Sequence, residues 1–208
     1  MWRRPRVSIG ALLLGVLLTM ARSGDAWQEL PPPPSAMQRL AFLAGEHADP
    51  MAETVAQWFT MIERSFVGLA DAMPGDRWAF APKDGEFKGV RTFAQQVKHV
   101  ACANFAFFNE VEGKTPPDGC EAGGPNPART KAELMDYLRQ SFTYASQIMR
   151  RLTPSNAMDL VEGPYGGKTT RLGISTLALW HATDHYGQLV IYLRMNGIVP
   201  PRTAAERR

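Results

Sequence analysis

Three helix-start signals punctuate this chain and restrict what it can fold into. Asp49 is followed by Pro50, an N-cap with proline at the first helical position. Thr92 to Gln95 and Thr130 to Glu133 read T-x-x-Q and T-x-x-E, capping boxes in which two side chains satisfy each other's backbone N–H groups. Behind each signal apolar residues recur every third or fourth position. The first run carries Val55, Trp58, Phe59, Ile62, Phe66 and Leu69, and the second Val97, Val100, Ala101, Phe105 and Phe108. The third carries Leu134, Tyr137, Leu138, Phe142, Ala145, Ile148 and Leu152. Pro74-Gly75, Gly113 and Pro154 stop them, so the spacing predicts helices from Pro50 to Met73, Thr92 to Glu112 and Thr130 to Leu152.

A fourth helix is predicted within Leu172 to Pro201, where Leu177, Trp180, Val190, Ile191 and Leu193 are apolar. Gly197 stands where a C′ glycine belongs, and Pro200-Pro201 forbid continuation. No segment alternates apolar and polar residues over a strand length, so no sheet is expected. The fold class is therefore all-α, a four-helix bundle. Lys114 to Ala128 is rich in Pro and Gly and reads as a loop long enough to cross the end of the bundle. In the connection between the first two helices, Trp78 and Phe80 are expected to tuck under the bundle.

The fourth helix carries His181 and His185. An i, i+4 pair lies about 40° apart around a helix, so both rings look off one face at metal-ligand spacing. The same spacing also suits a hydrogen-bonded core histidine. Ala182 occupies the position of the general-base glutamate in H-E-x-x-H, which excludes the zinc-protease motif. A metal site needs a third ligand, and the chain offers His47 and His99. His47 falls outside any periodic element, whereas His99 lies in the second helix, where it can meet His181 and His185 across the bundle. Gly-Gly-Lys-Thr at residues 166–169 fails as a phosphate loop, because Glu162 stands where its first glycine would be.

Composition matters chiefly for compartment. WRRPR at residues 2–6 precedes the apolar run Val7 to Met20, with small residues at Ala21 and Gly24 to Ala26, which reads as a signal peptide over residues 1–26. An uncleaved anchor is the alternative, and Arg3-Arg4 is a weak twin-arginine signal. Export to the periplasm or outside is the expected localisation, with no stable membrane insertion once the signal is cleaved. Removing Arg3, Arg4, Arg6, Arg22 and Asp25 takes 23 basic and 20 acidic residues to 19 of each. A neutral mature chain has no basic field to attract nucleic acid. Residues 27–48 form a proline-rich linker with a short helix, residues 49–201 the bundle, and residues 202–208 a C-terminal tail. An oxidising compartment permits Cys102 and Cys120 to pair across 17 intervening residues. The alternatives are a buried Cys102 with an unpaired Cys120, or a thiol ligand at Cys102, one turn from His99.

Taken together, His99 in FAQQVKHVACA and the later H-x-x-x-H-x-G-Q, followed by Tyr192-Leu193-Arg194 and Pro200-Pro201, resemble the DinB-like superfamily over about residues 49–201. The resemblance implies a bundle with one long crossover between helices 2 and 3, a divalent metal on the three histidines, and frequently a homodimer. Some relatives are thiol-dependent transferases or isomerases.

Three imidazoles with open positions form a catalytic pattern, since structural zinc sites are closed by four protein ligands. Nitrogen ligands suit Zn, Ni or Fe among other ions. Asp184 and Gln188 flank the ligand face of the fourth helix and are the candidates for orienting ligands or moving protons. Trp58, Trp180 and Tyr192 read as plain core or as pocket walls. Two functions follow. One is a metal-dependent hydrolase or transferase acting on a small molecule of unknown identity. The other is a non-catalytic metal- or ligand-binding module in which the ion staples helices 2 and 4.

Overall fold

The structure, a computed structural model, describes residues 49–115 and 129–206. Four long helices carry it: α1 (Pro50–Ala72), α2 (Phe93–Val111), α3 (Lys131–Met149) and α4 (Arg171–Met195). The start signals behave as their chemistry requires. Asp49 accepts from the Met51 amide, and both capping boxes close, Thr92 with Gln95 and Thr130 with Glu133.

Contacts at the helix ends fix the directions. α1 and α3 run antiparallel, since Arg150 pairs with Glu53 at one end and Lys131 with Asp71 at the other. α2 and α3 run parallel: Asn104 donates to Ser141, Tyr144 to Asn109, and Arg151 pairs with Glu112. α4 runs against α2 and alongside α1, with Tyr192 reaching Arg91 and Arg77 reaching Asn196. The parallel α2–α3 pair makes the long crossover obligatory, because a 19-residue helix is about 28 Å long and its two ends lie at opposite ends of the bundle. Residues 116–128 of that connection lie outside the described residues, as does everything before Asp49.

The core is aromatic at its centre. The ring of Phe59 meets those of Phe108 and Phe142, and Phe66 packs on Phe142. All four are fully buried, each contributing roughly 1.5–3 kcal/mol by leaving water. Trp78 and Phe80 do tuck under the bundle: Trp78 packs on Phe93 and donates to the Met73 carbonyl, and Phe80 stands edge-on to Tyr192. Lys131 donates to the Asp71 and Met73 carbonyls, a cation against the C-terminus of α1.

Four expectations need correcting. A hairpin exists, β1 (Leu160–Glu162) antiparallel to β2 (Lys168–Thr170), with Leu160 opposite Thr170 and Val161 opposite Thr169. Three-residue strands are too short to display alternation, and Gly166 and Gly167 make the turn at φ +84° and +79°. α3 ends at Met149, and Leu152 is buried beyond it in the turns that follow. Trp58 and Trp180 are 58% and 60% exposed, so neither is core nor a wall beside the buried histidines; only Tyr192 is buried. Pro201, besides barring continuation of α4, opens the short helix α5 (Pro201–Glu206).

Candidate metal centre

α2 and α4 bring His99, His181 and His185 together. The ring centroids are 5.0 Å apart for His99 and His181, 4.9 Å for His99 and His185, and 4.6 Å for His181 and His185. One nitrogen from each ring lies within 4.8 Å of those of the other two. Nε2 of His99 and Nε2 of His181 are 3.0 Å apart, close to the roughly 3 to 3.4 Å separating two nitrogens that ligate one ion at about 2.0–2.1 Å. His181 and His185 are buried and His99 half-buried. Phe107 stands edge-on to His181 at 5.3 Å.

Electrostatics keep these rings neutral. Burial, then His185, His99 and Arg91, push His181 down to about 3. Burial, then Arg91 and His185, take His99 down to about 4. Burial lowers His185 too, opposed by the Asp184 carboxylate and assisted by Arg91. At neutral pH all three are the uncharged imidazoles that bind metals. Protonated, they would repel one another inside the bundle.

Of the sequence candidates, the three histidines converge, whereas Asp184 and Gln188 do not join them. Both are exposed, and the Gln188 amide donates to Asp184 at 2.8 Å. The partner of a histidine is instead Gln96, buried on α2, whose Oε1 lies 2.6 Å from His185 Nδ1. Sequence reasoning passed over Gln96, although it precedes His99 by three residues and so shares its helix face. Nδ1 of His181 is buried with no hydrogen-bond partner among the described residues. Cys102, fully buried and disulfide-bonded, is no thiolate ligand. Cys120, the chain's other cysteine, lies outside the described residues, as does His47.

A family model described as the DinB superfamily matches residues 59–189, which spans the histidine centre and more than half the chain. The chain belongs to the DinB superfamily. As a DinB-superfamily bundle it is similar to a solved DinB-like protein from Bacillus cereus, with TM-score 0.58 and 17% identity over 72% of this chain and 95% of that one. A DinB-like protein from Bacillus subtilis follows at TM-score 0.54 and 19% identity, over 69% of this chain and 92% of that one. A conserved protein from Enterococcus faecalis gives TM-score 0.55 and 14% identity, over 69% and 95%. At these identities the likeness shows the bundle fold. No curated protein matches.

The residues present fit a divalent ion. The donor set is three neutral imidazoles converging from two helices, and the DinB-superfamily chain adds no carboxylate or thiolate to it among the described residues. His185 presents its ring with Nδ1 already committed to Gln96, the arrangement a ligating histidine requires.

Proposed function

We propose that this protein is a divalent-metal-dependent enzyme of hydrolase or transferase type, acting on a small molecule. The observation that carries the reading is the donor set among the described residues: three neutral imidazoles rather than the four protein ligands of a closed structural site. His99, His181 and His185 would hold the ion, with Zn, Ni or Fe as candidates. Such an ion, when bound, supplies Lewis acidity toward water or a substrate oxygen.

The chain's own residues do the rest. Gln96 orients His185, Phe107 packs edge-on against His181, and half-buried His99 marks the side open to a substrate. Asp184 stands next in sequence to His185 and is held by Gln188, so it is the carboxylate offered for proton transfer at the rim.

The reading includes export to the periplasm or outside, supported by residues 1–26 and by the disulfide at Cys102, which an oxidising compartment sustains. Among the described residues no helix is long and apolar enough to cross a membrane. A homodimer is the proposed assembly, and nucleic acid is not a proposed partner.

One observation favours the alternative, a non-catalytic module stapled by its ion. Asp184 is exposed and bonded to Gln188 rather than to a histidine. Assay of zinc-, nickel- and iron-loaded protein against ester, phosphoester and thiol-transfer substrates separates the two. The enzyme reading expects turnover that His181→Ala abolishes. The module expects no turnover of any class, with a large fall in melting temperature on chelation.

A further inference from the structure

The three histidines are not held alike. Nδ1 of His181 has no partner among the described residues, and its Nε2 faces that of His99 at 3.0 Å. Among the described residues, His185 alone has a buried hydrogen bond from its ring to a group outside the cluster, the 2.6 Å contact between Nδ1 and Gln96 Oε1. A carbonyl oxygen only accepts, so this contact requires the proton on Nδ1. The nitrogen that His185 then offers to an ion is Nε2.

We propose that Gln96 is a positioning residue: its amide oxygen locks His185 as the Nδ1–H tautomer and so pre-forms one arm of the three-histidine centre. The inference rests on the metal reading above for its purpose, though not for its geometry.

The surroundings explain why this bond can be rigid. Gln96 sits in the first turn of α2, where its backbone N–H donates to Thr92 O at 2.9 Å beside the closed Thr92–Gln95 capping box. Tyr192, two turns beyond His185 on α4, donates to Arg91 O at 3.0 Å and ties the same end of α2 to α4. α2 is thus closed on itself at Gln96 and tied to α4 at Arg91, so neither side chain of the Gln96–His185 bond has to order itself when an ion arrives. An amide oxygen also orients the ring without adding charge. A carboxylate there would neutralise part of the ion's charge and blunt its Lewis acidity.

The test reads tautomer and affinity separately. Long-range 15N–1H spectra of the full chain, 15N-labelled at histidine, metal-free and near pH 7.5, report which nitrogen of His185 carries the proton. Wild type is expected to show Nδ1–H. Gln96→Leu removes the acceptor and is expected to move His185 toward Nε2–H, with zinc affinity falling about ten- to a hundredfold by chelator competition. Gln96→Glu restores an acceptor and is expected to recover both the Nδ1–H signature and the affinity, which packing alone would not predict. Should Gln96→Leu fail to fold, Gln96→Met gives an unbranched chain of similar length without the acceptor.

A wild-type His185 protonated on Nε2, or a folded Leu or Met variant with unchanged tautomer and affinity, overturns the proposal. Wild type that binds no zinc overturns the metal reading instead, and the spectra still decide the role of Gln96.

Discussion

Nε2 of His99 and Nε2 of His181 stand 3.0 Å apart although 82 positions separate them in the chain. In the metal-free protein this is a hydrogen bond between two neutral rings, one of them donating. Two protonated rings could not sit there. The contact therefore ties the α2–α4 packing to the protonation state of the site.

Acid is expected to unfold the chain through these histidines. Their folded values lie below the ordinary 6.5, at about 4 for His99, about 3 for His181 and in the same direction for His185. The unfolded chain therefore binds more protons than the folded one below pH 6.5. Stability is full above that pH and is lost as pH falls toward 3, with His181, the most deeply buried ring, contributing most. Urea denaturation at a series of pH values from 8 to 4 checks the slope. A flat profile across that range contradicts it.

Asp184→Asn is expected to leave metal content unchanged, since the carboxylate is exposed and bonds Gln188 rather than a histidine. If Asp184 moves a proton in the reaction, kcat falls about a hundredfold or more while KM holds. Steady-state kinetics on the first substrate found in the assay panel, with metal analysis of the same sample, checks both halves.

Phe142→Ala is expected to cost about 3–5 kcal/mol of folding stability, because the fully buried ring packs against Phe59 and Phe66 and its removal leaves a cavity in the core. Thr130→Ala, removing the capping-box hydroxyl that accepts from Glu133 at the start of α3, is expected to cost about 1 kcal/mol. Chemical denaturation of the two variants beside wild type measures the contrast.

Much of this was legible beforehand because helix ends are local chemistry. Asp49, Thr92 and Thr130 cap their helices through bonds spanning two or three residues, so a short window of sequence contains the whole cause. The histidine centre was legible for a related reason: the i, i+4 spacing of His181 and His185 fixes one face, and a bundle leaves few facing helices for His99.

Other features depend on what the chain packs against. Trp58 and Trp180 are apolar at helical spacing, yet they fall on outer faces, a distinction that periodicity alone does not make. The hairpin is set by the Gly166–Gly167 turn and by Val161 packing against the core rather than by alternation. Asp184 and Gln188 draw the eye as polar groups beside the ligand face of α4, whereas Gln96 stands out only through its burial and its 2.6 Å contact with His185.

The central claim is that three imidazoles from α2 and α4 hold one ion. Metal content of wild type and of His99→Ala, each dialysed against limiting zinc and measured with circular dichroism as a fold control, tests it most directly. The account predicts one ion per wild-type chain and a folded His99→Ala protein that retains almost none. Equal occupancy in the two proteins would contradict it.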